Sequence, residues 1–191
     1  MPLRMFVVLL SLMAVSPGTA SAAPALAPHA APDSKDVRIL DDVTSTVNGC
    51  PHFTIFDDVS VGVENGVVTL VGKMTMGYKR DELQKRVTAI AGVKQVVNQL
   101  EVLPASSFDD TLRQQIARAI YGNANFWTYA AMRNPPIHII VAGSRVILTG
   151  LVRTETDRRL AQALATQFNA LSVSNELKTD AEMRGRRDSS Q

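Results

Sequence analysis

The stretch VGVENGVVTLVG, residues 61–72, decides the fold because it contains every element of a β-hairpin. Asn65-Gly66 supplies a two-residue loop, since a type I′ turn needs positive φ at both central positions and these residues tolerate it. Strands folded about that loop pair Val63 with Val68 and Val61 with Leu70. Side chains alternate along a pleated strand, so all four apolar side chains point to one face. We therefore predict an antiparallel hairpin with one apolar face.

The hairpin pattern occurs twice. Residues 139–150 read IIVAGSRVILTG, 78 positions after the first stretch, with Gly143-Ser144 at the turn and Gly150 in the place of Gly72. A spaced internal repeat indicates a repeated structural unit. In each copy an apolar pattern of helical period precedes the hairpin, and a helix and a third strand follow it. The chain is therefore predicted to hold two small domains, each in the order helix, strand, strand, helix, strand.

Apolar stripes define the predicted helices. Those of the first domain are Val37, Leu40, Val43 and Val47, then Leu83, Val87 and Ile90. Those of the second are Leu112, Ile116, Ala119 and Ile120, then Leu160, Leu164 and Phe168. Capping boxes are predicted at Ser107 with Asp110 and at Thr154 with Asp157. The third strands are predicted over residues 93–102 and 171–178.

Segments outside the repeats have their own compositions. Residues 1–22 combine Arg4, a short apolar run and Ala20-Ser21-Ala22, the pattern of a secretory signal peptide cleaved after Ala22. A mature protein that is soluble outside the cytoplasm and lacks a transmembrane span is expected. Residues 23–35 are rich in Ala and Pro and are interpreted as a linker, and residues 179–191 as a flexible tail. The domains are accordingly assigned to residues 36–104 and 107–178.

The second domain has a longer connection between its first helix and its hairpin. Nineteen positions separate Asp42 from Val61 and 29 separate Asp110 from Ile139, which predicts about ten additional residues. The connection, residues 121–136, contains the only tryptophan of the chain. Two interpretations are open: a segment folded over its own core with Trp127 as the packing anchor, or an edge that enters the lipid interface. The lipid-contact candidates are Phe126, Trp127, Tyr129, Met132 and Arg133.

Catalysis and metal binding are not expected from the sequence. It contains no nucleophile elbow, phosphate loop or zincin helix. Cys50 and His52 could supply two metal ligands, but no second pair completes a zinc site, so no metal or other cofactor is predicted. Cys50 is interpreted as a small buried side chain, with an exposed thiol for pairing between chains as the alternative.

Charge also constrains the partners. A formal net charge of +2 without a basic stripe argues against nucleic acid as a partner. Basic residues mixed with acidic ones mark the second helix of each domain. Solvated helix faces are the favoured interpretation, and contact with anionic lipid headgroups is the alternative. The basic residues are Lys79, Arg80, Lys85 and Arg86 in the first domain and Arg153, Arg158 and Arg159 in the second.

The first repeat resembles the BON domain family in three parts: VGVENGVVTLVG, the helix after it and the ending GVKQVVNQLEV. The second repeat resembles the same family in IHIIVAGSRVILTGLV and VSNELK. The type resembled is the two-copy, osmotically inducible periplasmic protein of the OsmY type. The resemblance implies an α+β fold of two αββαβ domains, each with two helices on one face of a three-stranded mixed sheet. It also implies a non-enzymatic envelope protein that binds phospholipid or another envelope component, linked to envelope integrity or osmotic stress. The alternative is a protein-interaction or chaperone-like module acting on envelope proteins under stress. A second copy of the chain is a further candidate partner.

Packing of the outer sheet faces completes the expectations. Alternation turns Ile140, Ile147 and Leu151 of the second domain, and Val67 and Val71 of the first, away from the hairpin cores. Domains of this size bury a small fraction of their surface and are marginally stable alone. These faces are therefore predicted to be at least partly covered, by the other domain or by another subunit.

Overall fold

The computed structural model describes residues 34–188. The predicted signal peptide, residues 1–22, and most of the predicted linker, residues 23–35, lie outside the described residues. The first helix begins at Ser34, so the last two positions of that linker are helical. Within the described range, no helix is both long enough and apolar enough to cross a bilayer.

Both repeats have the predicted order of elements. The first contains α1 (Ser34–Asn48), β1 (Asp58–Glu64), β2 (Val67–Met74), α2 (Gly77–Thr88) and β3 (Gln95–Val102). The second contains α3 (Ser107–Tyr121), a 3₁₀ turn (Ala124–Phe126), α4 (Trp127–Ala130), β4 (Ile137–Ala142), β5 (Arg145–Val152), α5 (Glu155–Ala165), β6 (Ser172–Asn175) and β7 (Lys178–Thr179). In each sheet the hairpin is antiparallel and the next strand pairs parallel to its second strand. The predicted α+β class with two tandem mixed-sheet domains is confirmed.

Both hairpins have the predicted register. The observed pairs are Val63 with Val68 and Val61 with Leu70, then Val141 with Val146 and Ile139 with Leu148. The turn residues have φ of 53° at Asn65 and 80° at Gly66, and of 56° at Gly143 and 62° at Ser144. Positive φ at both central positions is the type I′ geometry. Turn chemistry and apolar pattern therefore select the same pairing in both domains.

An aspartate from the first helix of each domain holds the hairpin turn. Asp36 accepts hydrogen bonds from the backbone N–H groups of Asn65 at 2.7 Å and Gly66 at 2.9 Å. Asp109 accepts from Gly143 and Ser144, both at 2.9 Å. Each carboxylate satisfies two turn donors that the ladder leaves unpaired, so it fixes the helix against the turn.

These two aspartates correct the predicted alignment of the repeats. Asp36 is equivalent to Asp109, and 25 positions separate Asp36 from Val61 against 30 from Asp109 to Ile139. The second connection is thus longer by five residues, not by about ten. The predicted capping box at Ser107 is also displaced by one position, because Ser106 is the N-cap and its side chain accepts from the Asp109 N–H at 3.2 Å. The cap predicted at Thr154 is confirmed by its hydrogen bond from the Asp157 N–H at 3.1 Å.

Each domain has its own apolar core between helices and sheet. The first contains Ile39, Val43, Val47, Val68, Leu70, Met74, Leu83, Val87 and Leu100. The second is larger and includes Leu112, Ile116, Ile120, Phe126, Tyr129, Ile137, Ile139, Val141, Val146 and Leu148. The α1 stripe was predicted wrongly at its start, since Val37 is 42% exposed and Leu40 37% exposed while Ile39 is buried. Asp36 lies on the buried side of α1 to reach the turn, which places Ile39 rather than its neighbours in the core.

An asparagine and a leucine two positions later anchor the third strand of each domain. Asn98 donates to the Gln84 Oε1 on α2 at 2.8 Å and accepts from the Leu100 N–H at 3.1 Å. Asn175 donates to the Arg158 carbonyl on α5 at 2.8 Å and accepts from the Leu177 N–H at 3.3 Å. The leucines themselves are buried. In both repeats, the asparagine of the Asn-x-Leu sequence therefore links the third strand to a helix, and the leucine links it to the core.

The end of the second domain differs from the prediction. Residues 171–178 form two strands instead of one, β6 and β7, which pair parallel to β5 on either side of Glu176-Leu177. Residues Asp180–Asp188 form a further helix, α6, where a flexible tail was expected. Thr179 and Glu182 cap it reciprocally, with Thr179 N to Glu182 Oε2 at 2.8 Å and Glu182 N to Thr179 Oγ1 at 3.3 Å. This capping box supplies the start signal that the charged composition obscured.

Asp57 forms a buried charged centre in the first domain. Its carboxylate accepts from the N–H and hydroxyl of Thr54 at 2.9 and 2.8 Å and from those of Thr75 at 2.7 and 2.8 Å. The Lys79 ammonium completes the set at 2.7 Å. Lys79 was predicted to lie away from the core and is instead 6% exposed. Burial alone would raise the pKa of Asp57, but the hydrogen bonds from Lys79, Thr75 and Thr54 outweigh it and lower that pKa.

The loop between α1 and β1 packs against the second domain. The Ile139 N–H donates to the Ile55 carbonyl at 2.7 Å, and the His138 Nδ1 donates to the Asp57 carbonyl at 2.6 Å. The Phe53 and His138 rings lie 5.4 Å apart, and Ile55 packs against the second core. The two repeats therefore share an interface in which the loop accepts one backbone hydrogen bond and one side-chain hydrogen bond from the edge strand β4.

The outer sheet faces are covered unequally. Ile140 is 2% exposed and Ile147 is half-buried, whereas Val71 is 45% exposed and Leu151 37% exposed. Val67 of the first domain is half-buried. The prediction of covered outer faces therefore holds for Ile140, Ile147 and Val67 and is wrong for Val71 and Leu151.

Candidate lipid-contact site

The longer connection of the second domain forms a compact excursion closed at its base. The Tyr121 hydroxyl, at the end of α3, donates to the Ile137 carbonyl and accepts from the Ile137 N–H at 3.2 Å at the start of β4. Burial raises the pKa of Tyr121. The hydroxyl consequently keeps its proton at neutral pH and ties the two ends of the connection together.

Inside this base, local hydrogen bonding sets two short helical turns. The Asn123 side chain accepts from the Asn125 N–H at 3.0 Å and starts the 3₁₀ turn that leads into α4. The helix ends at Ala130, and the N–H of the following residue, Ala131, donates to the Trp127 carbonyl at 3.1 Å. Asn134-Pro135-Pro136 then returns the chain to β4, since proline cannot continue a helix.

Two of the five predicted lipid-contact residues lie in the core. Phe126 is 0% exposed and Tyr129 is 3% exposed, with their rings 5.8 Å apart. The Tyr129 hydroxyl donates to Asp157 Oδ2 at 3.1 Å and accepts from the Arg153 N–H at 2.8 Å. Burial, first, and the Asp157 carboxylate raise the pKa of Tyr129. The prediction of lipid contact is wrong for Phe126 and Tyr129, because both are enclosed by their own domain.

The other three predicted residues lie on the surface. Trp127 is 67% exposed and Met132 is 49% exposed, and Arg133 is exposed beside them in the chain. Trp127 is therefore not the packing anchor of the segment, and Phe126 has that role. We call the exposed set Trp127, Met132 and Arg133 the Trp127 edge. Its backbone is fixed by the buried rings of Phe126 and Tyr129, so a rigid segment presents it to solvent.

Two arginines, one in this edge and one over the Tyr129 ring, have no carboxylate partner among residues 34–185, the range whose side chains the structure describes. Arg133 belongs to the edge itself, and Arg153 lies over the Tyr129 ring with its guanidinium carbon 5.8 Å from the ring centroid. Both are exposed. A guanidinium without an ion pair can bind phosphate in a bidentate manner.

The basic clusters of α2 and α5 are largely neutralised. On α2, Lys79 pairs with Asp57, Arg80 with Asp81 and Arg86 with Glu82. On α5, Arg158 pairs with Glu155 and Glu182, and Arg159 pairs with Glu155. The Glu155 pKa is lowered by its hydrogen bond from Arg159 and then by that from Arg158. Apart from the buried Lys79, solvated and internally paired helix faces therefore describe both clusters better than headgroup sites.

One group of potential metal ligands occurs in the described part of the chain. The donor atoms of Cys50, His52 and Glu82 lie within 4.8 Å of one another, and Cys50 is buried. Sequence reasoning found the Cys-x-His pair but not Glu82, which is 30 positions beyond His52. Only the packing of α2 against the end of α1 brings the third ligand type into reach. His138 is occupied in the contact between the domains.

Comparison with known proteins places these features in a family. A family model described as "BON domain" matches the chain twice, over residues 35–104 and 108–181. No curated protein matches the sequence. Among solved structures, CdsD, a structural protein of the type III secretion system of Chlamydia trachomatis, is similar at 14% identity, over 79% of this chain and 97% of that chain, with a TM-score of 0.28. The C-terminal domain of the same protein is similar at 13% identity, over 75% of this chain and 98% of that chain, also with a TM-score of 0.28.

TM-scores of this size support no inference about fold or function. The family matches, in contrast, cover most of the 191 residues and coincide with the two hairpin domains. The chain belongs to the BON domain family and carries two copies of the domain in tandem.

Proposed function

We propose that this chain is a non-catalytic periplasmic envelope protein that binds phospholipid membranes peripherally through the Trp127 edge, and that it acts in envelope integrity or osmotic stress. The observation that carries the proposal is the exposure of Trp127, at 67%, in a segment whose neighbouring aromatic rings are buried. The fixed backbone holds this large apolar ring in water. Transfer of part of the ring from water into a less polar environment is therefore favourable. Tryptophan is favoured at the headgroup level of a bilayer, where its apolar body and polar N–H are both accommodated.

Charge supports the same surface. Arg133 in the edge and Arg153 over the Tyr129 ring lack carboxylate partners among the described side chains of residues 34–185, so their guanidinium groups are available to lipid phosphates. Basic residues near an anionic surface contribute about 1 kcal/mol each. The clusters on α2 and α5 are internally paired, so they contribute less to such an attraction.

The expected affinity is modest. Removing the exposed part of a tryptophan from water contributes about 3 kcal/mol at the usual coefficient for apolar area. Two arginines add about 2 kcal/mol, and a total of about 5 kcal/mol corresponds to dissociation in the sub-millimolar range of accessible lipid. The protein would therefore bind reversibly, as a single weak anchor does.

Vesicle co-sedimentation tests the proposal. The purified protein is titrated with vesicles of phosphatidylglycerol and phosphatidylcholine, and with phosphatidylcholine alone, at low and high salt. We expect stronger binding to the anionic vesicles and a decrease with salt. Trp127→Ala should weaken binding by at least about tenfold, because it removes the main apolar contact.

Phe108→Ala is the matched control. Phe108 is an exposed aromatic residue of the same domain, 52% exposed, but it lies on α3 outside the edge. Its removal should leave vesicle binding unchanged. Equal effects of the two substitutions, or no binding to either vesicle, would contradict the proposal. Suppression of client aggregation by a protein that fails to sediment would instead favour the chaperone-like alternative.

A further inference from the structure

A cluster in the first domain brings together a thiol, an imidazole and a carboxylate. Cys50 and His52 lie in the turn after α1, and Glu82 lies on α2. The donor atoms are within 4.8 Å of one another, and His52 Nδ1 is 3.0 Å from Glu82 Oε2. None of these residues belongs to the Trp127 edge.

Cys50 is a buried side chain, 5% exposed, that lies in the turn after α1 and outside the main apolar cluster of the first domain. Its turn is closed by a hydrogen bond from the Phe53 N–H to the Cys50 carbonyl at 3.1 Å. Arg86 forms an ion pair with Glu82 at 2.6 Å, so a guanidinium charge also borders the cluster.

The surroundings also orient the other two side chains. The His52 ring packs edge-on against the Tyr78 ring at 5.5 Å between centroids. Glu82 Oε1 accepts from Arg86 Nε at 2.9 Å and from its terminal nitrogen at 2.6 Å, which leaves Oε2 directed at His52. Ligating carboxylates and imidazoles are commonly held by such outer partners.

We propose that Cys50, His52 and Glu82 bind one zinc-type divalent ion, with a solvent molecule as the fourth ligand. Thiolate, imidazole and carboxylate are the three ligand types that zinc takes from proteins, and three protein ligands leave one position open. Tetrahedral coordination at zinc bond lengths separates ligand atoms by about 3.3–3.6 Å. On binding, the distance between His52 Nδ1 and Glu82 Oε2 would lengthen by a few tenths of an ångström. The widest distance between two ligand atoms, now up to 4.8 Å, would shorten. The thiol would bind as the thiolate and the imidazole in its neutral form, with its proton on the ring nitrogen that does not bind the ion.

Cobalt and zinc titrations of the purified, reduced protein test this site. Co²⁺ bound by a cysteine thiolate gives a charge-transfer band in the near ultraviolet, and tetrahedral coordination gives strong visible bands. We expect both at one ion per chain, with Zn²⁺ displacing Co²⁺ and abolishing the spectrum. Zn²⁺ should also raise Tm, because it binds the folded chain and joins the end of α1 to α2.

Variants assign the ligands. Cys50→Ser should remove the charge-transfer band, and His52→Gln and Glu82→Gln should each weaken Zn²⁺ binding by at least about tenfold. Glu155→Gln is the matched control, because Glu155, like Glu82, pairs with an arginine four positions on but has no cysteine or histidine in its cluster. It should bind as the wild type does.

Two results would overturn the inference. One is the absence of the charge-transfer band in the wild-type protein. The other is wild-type affinity in both His52→Gln and Glu82→Gln, which would mean that the thiol alone binds the ion. If Cys50→Ser does not fold, the other two variants decide, since the side chains of His52 and Glu82 are 48% and 28% exposed and their replacement leaves the core intact.

Discussion

Replacing Asp57 with asparagine tests the buried charged centre of the first domain. The carboxylate is fully buried and accepts five hydrogen bonds, one of them from the Lys79 ammonium at 2.7 Å. Asp57→Asn keeps the shape of the side chain but leaves the Lys79 charge, 6% exposed, without a counter-charge. Breaking a buried ion pair on one side costs about 3–5 kcal/mol. For a chain of this size the loss corresponds to a decrease in Tm of roughly 6–20 °C.

Thermal melts followed by circular dichroism at pH 7 measure this decrease. Asp81→Asn is the control, because Asp81 is exposed and pairs only with Arg80 on the helix surface, and its Tm should stay within about 2 °C of wild type. The double variant Asp57→Asn with Lys79→Met should recover part of the loss, since it removes the uncompensated charge. A Tm for Asp57→Asn within 2 °C of wild type would refute the assignment of a buried ion pair.

Acid titration gives the same group a second test. The folded-state pKa of Asp57 lies below its ordinary value of 3.8. Its contribution to stability is therefore present above that value and is lost as the pH falls through the lower folded-state pKa. Wild-type stability should decrease more steeply than that of Asp57→Asn on acidification through this range. Parallel pH profiles would mean that Asp57 titrates alike in the folded and unfolded chain.

Three further predictions address the second domain. Asp109→Ala should lower the free energy of unfolding by about 1–3 kcal/mol in urea titration, because it leaves two turn N–H groups without their acceptor; an unchanged midpoint would contradict the clamp. Gly150→Ala should prevent normal folding, since its φ is 110° and an added Cβ would lie 1.9 Å from the Pro136 carbonyl oxygen; a wild-type melt would exclude this contact. Phe126→Ala should lower the free energy of unfolding by about 3–5 kcal/mol, while Trp127→Ala should leave Tm nearly unchanged. A larger loss of stability in Trp127→Ala than in Phe126→Ala would mean that Trp127 is the packing anchor.

The hairpins were predictable because two independent local requirements agree there. Asn65-Gly66 admits only a narrow set of turns, and the alternating valines permit one register about that turn. The element order followed from the change between two-residue and helical periods. These are local properties, so the sequence pattern contains them directly.

The clamps by Asp36 and Asp109 were missed because they are tertiary. Asp36 is 29 positions from Asn65, and an aspartate in the first turn of a helix is ordinarily explained by capping and the helix dipole. The burial of Lys79 was missed for the same reason. A lysine on a charged helix is normally solvated, and only the position of Asp57 makes its burial favourable.

The sequence predicted which segment holds the candidate site but not which of its side chains are exposed. The aromatic composition identified the segment, whereas the rotation of its short helix determines which rings face inward. Phe126 and Tyr129 are three positions apart and share the inward face, which leaves Trp127 on the outward side. The register of so short a helix depends on its caps and on the closing bonds of Tyr121, neither of which the spacing of aromatic residues specifies.

Fluorescence of Trp127 tests the central claim most directly, because it is the only tryptophan in the chain. Without vesicles, a side chain that is 67% exposed should emit at long wavelength and be quenched readily by acrylamide. On addition of anionic vesicles, we expect a blue shift, protection from acrylamide and quenching by lipids brominated near the headgroup. Emission that keeps its wavelength and its acrylamide quenching while the protein co-sediments with the vesicles would show that the membrane binds a different surface and would contradict the proposed role of the Trp127 edge.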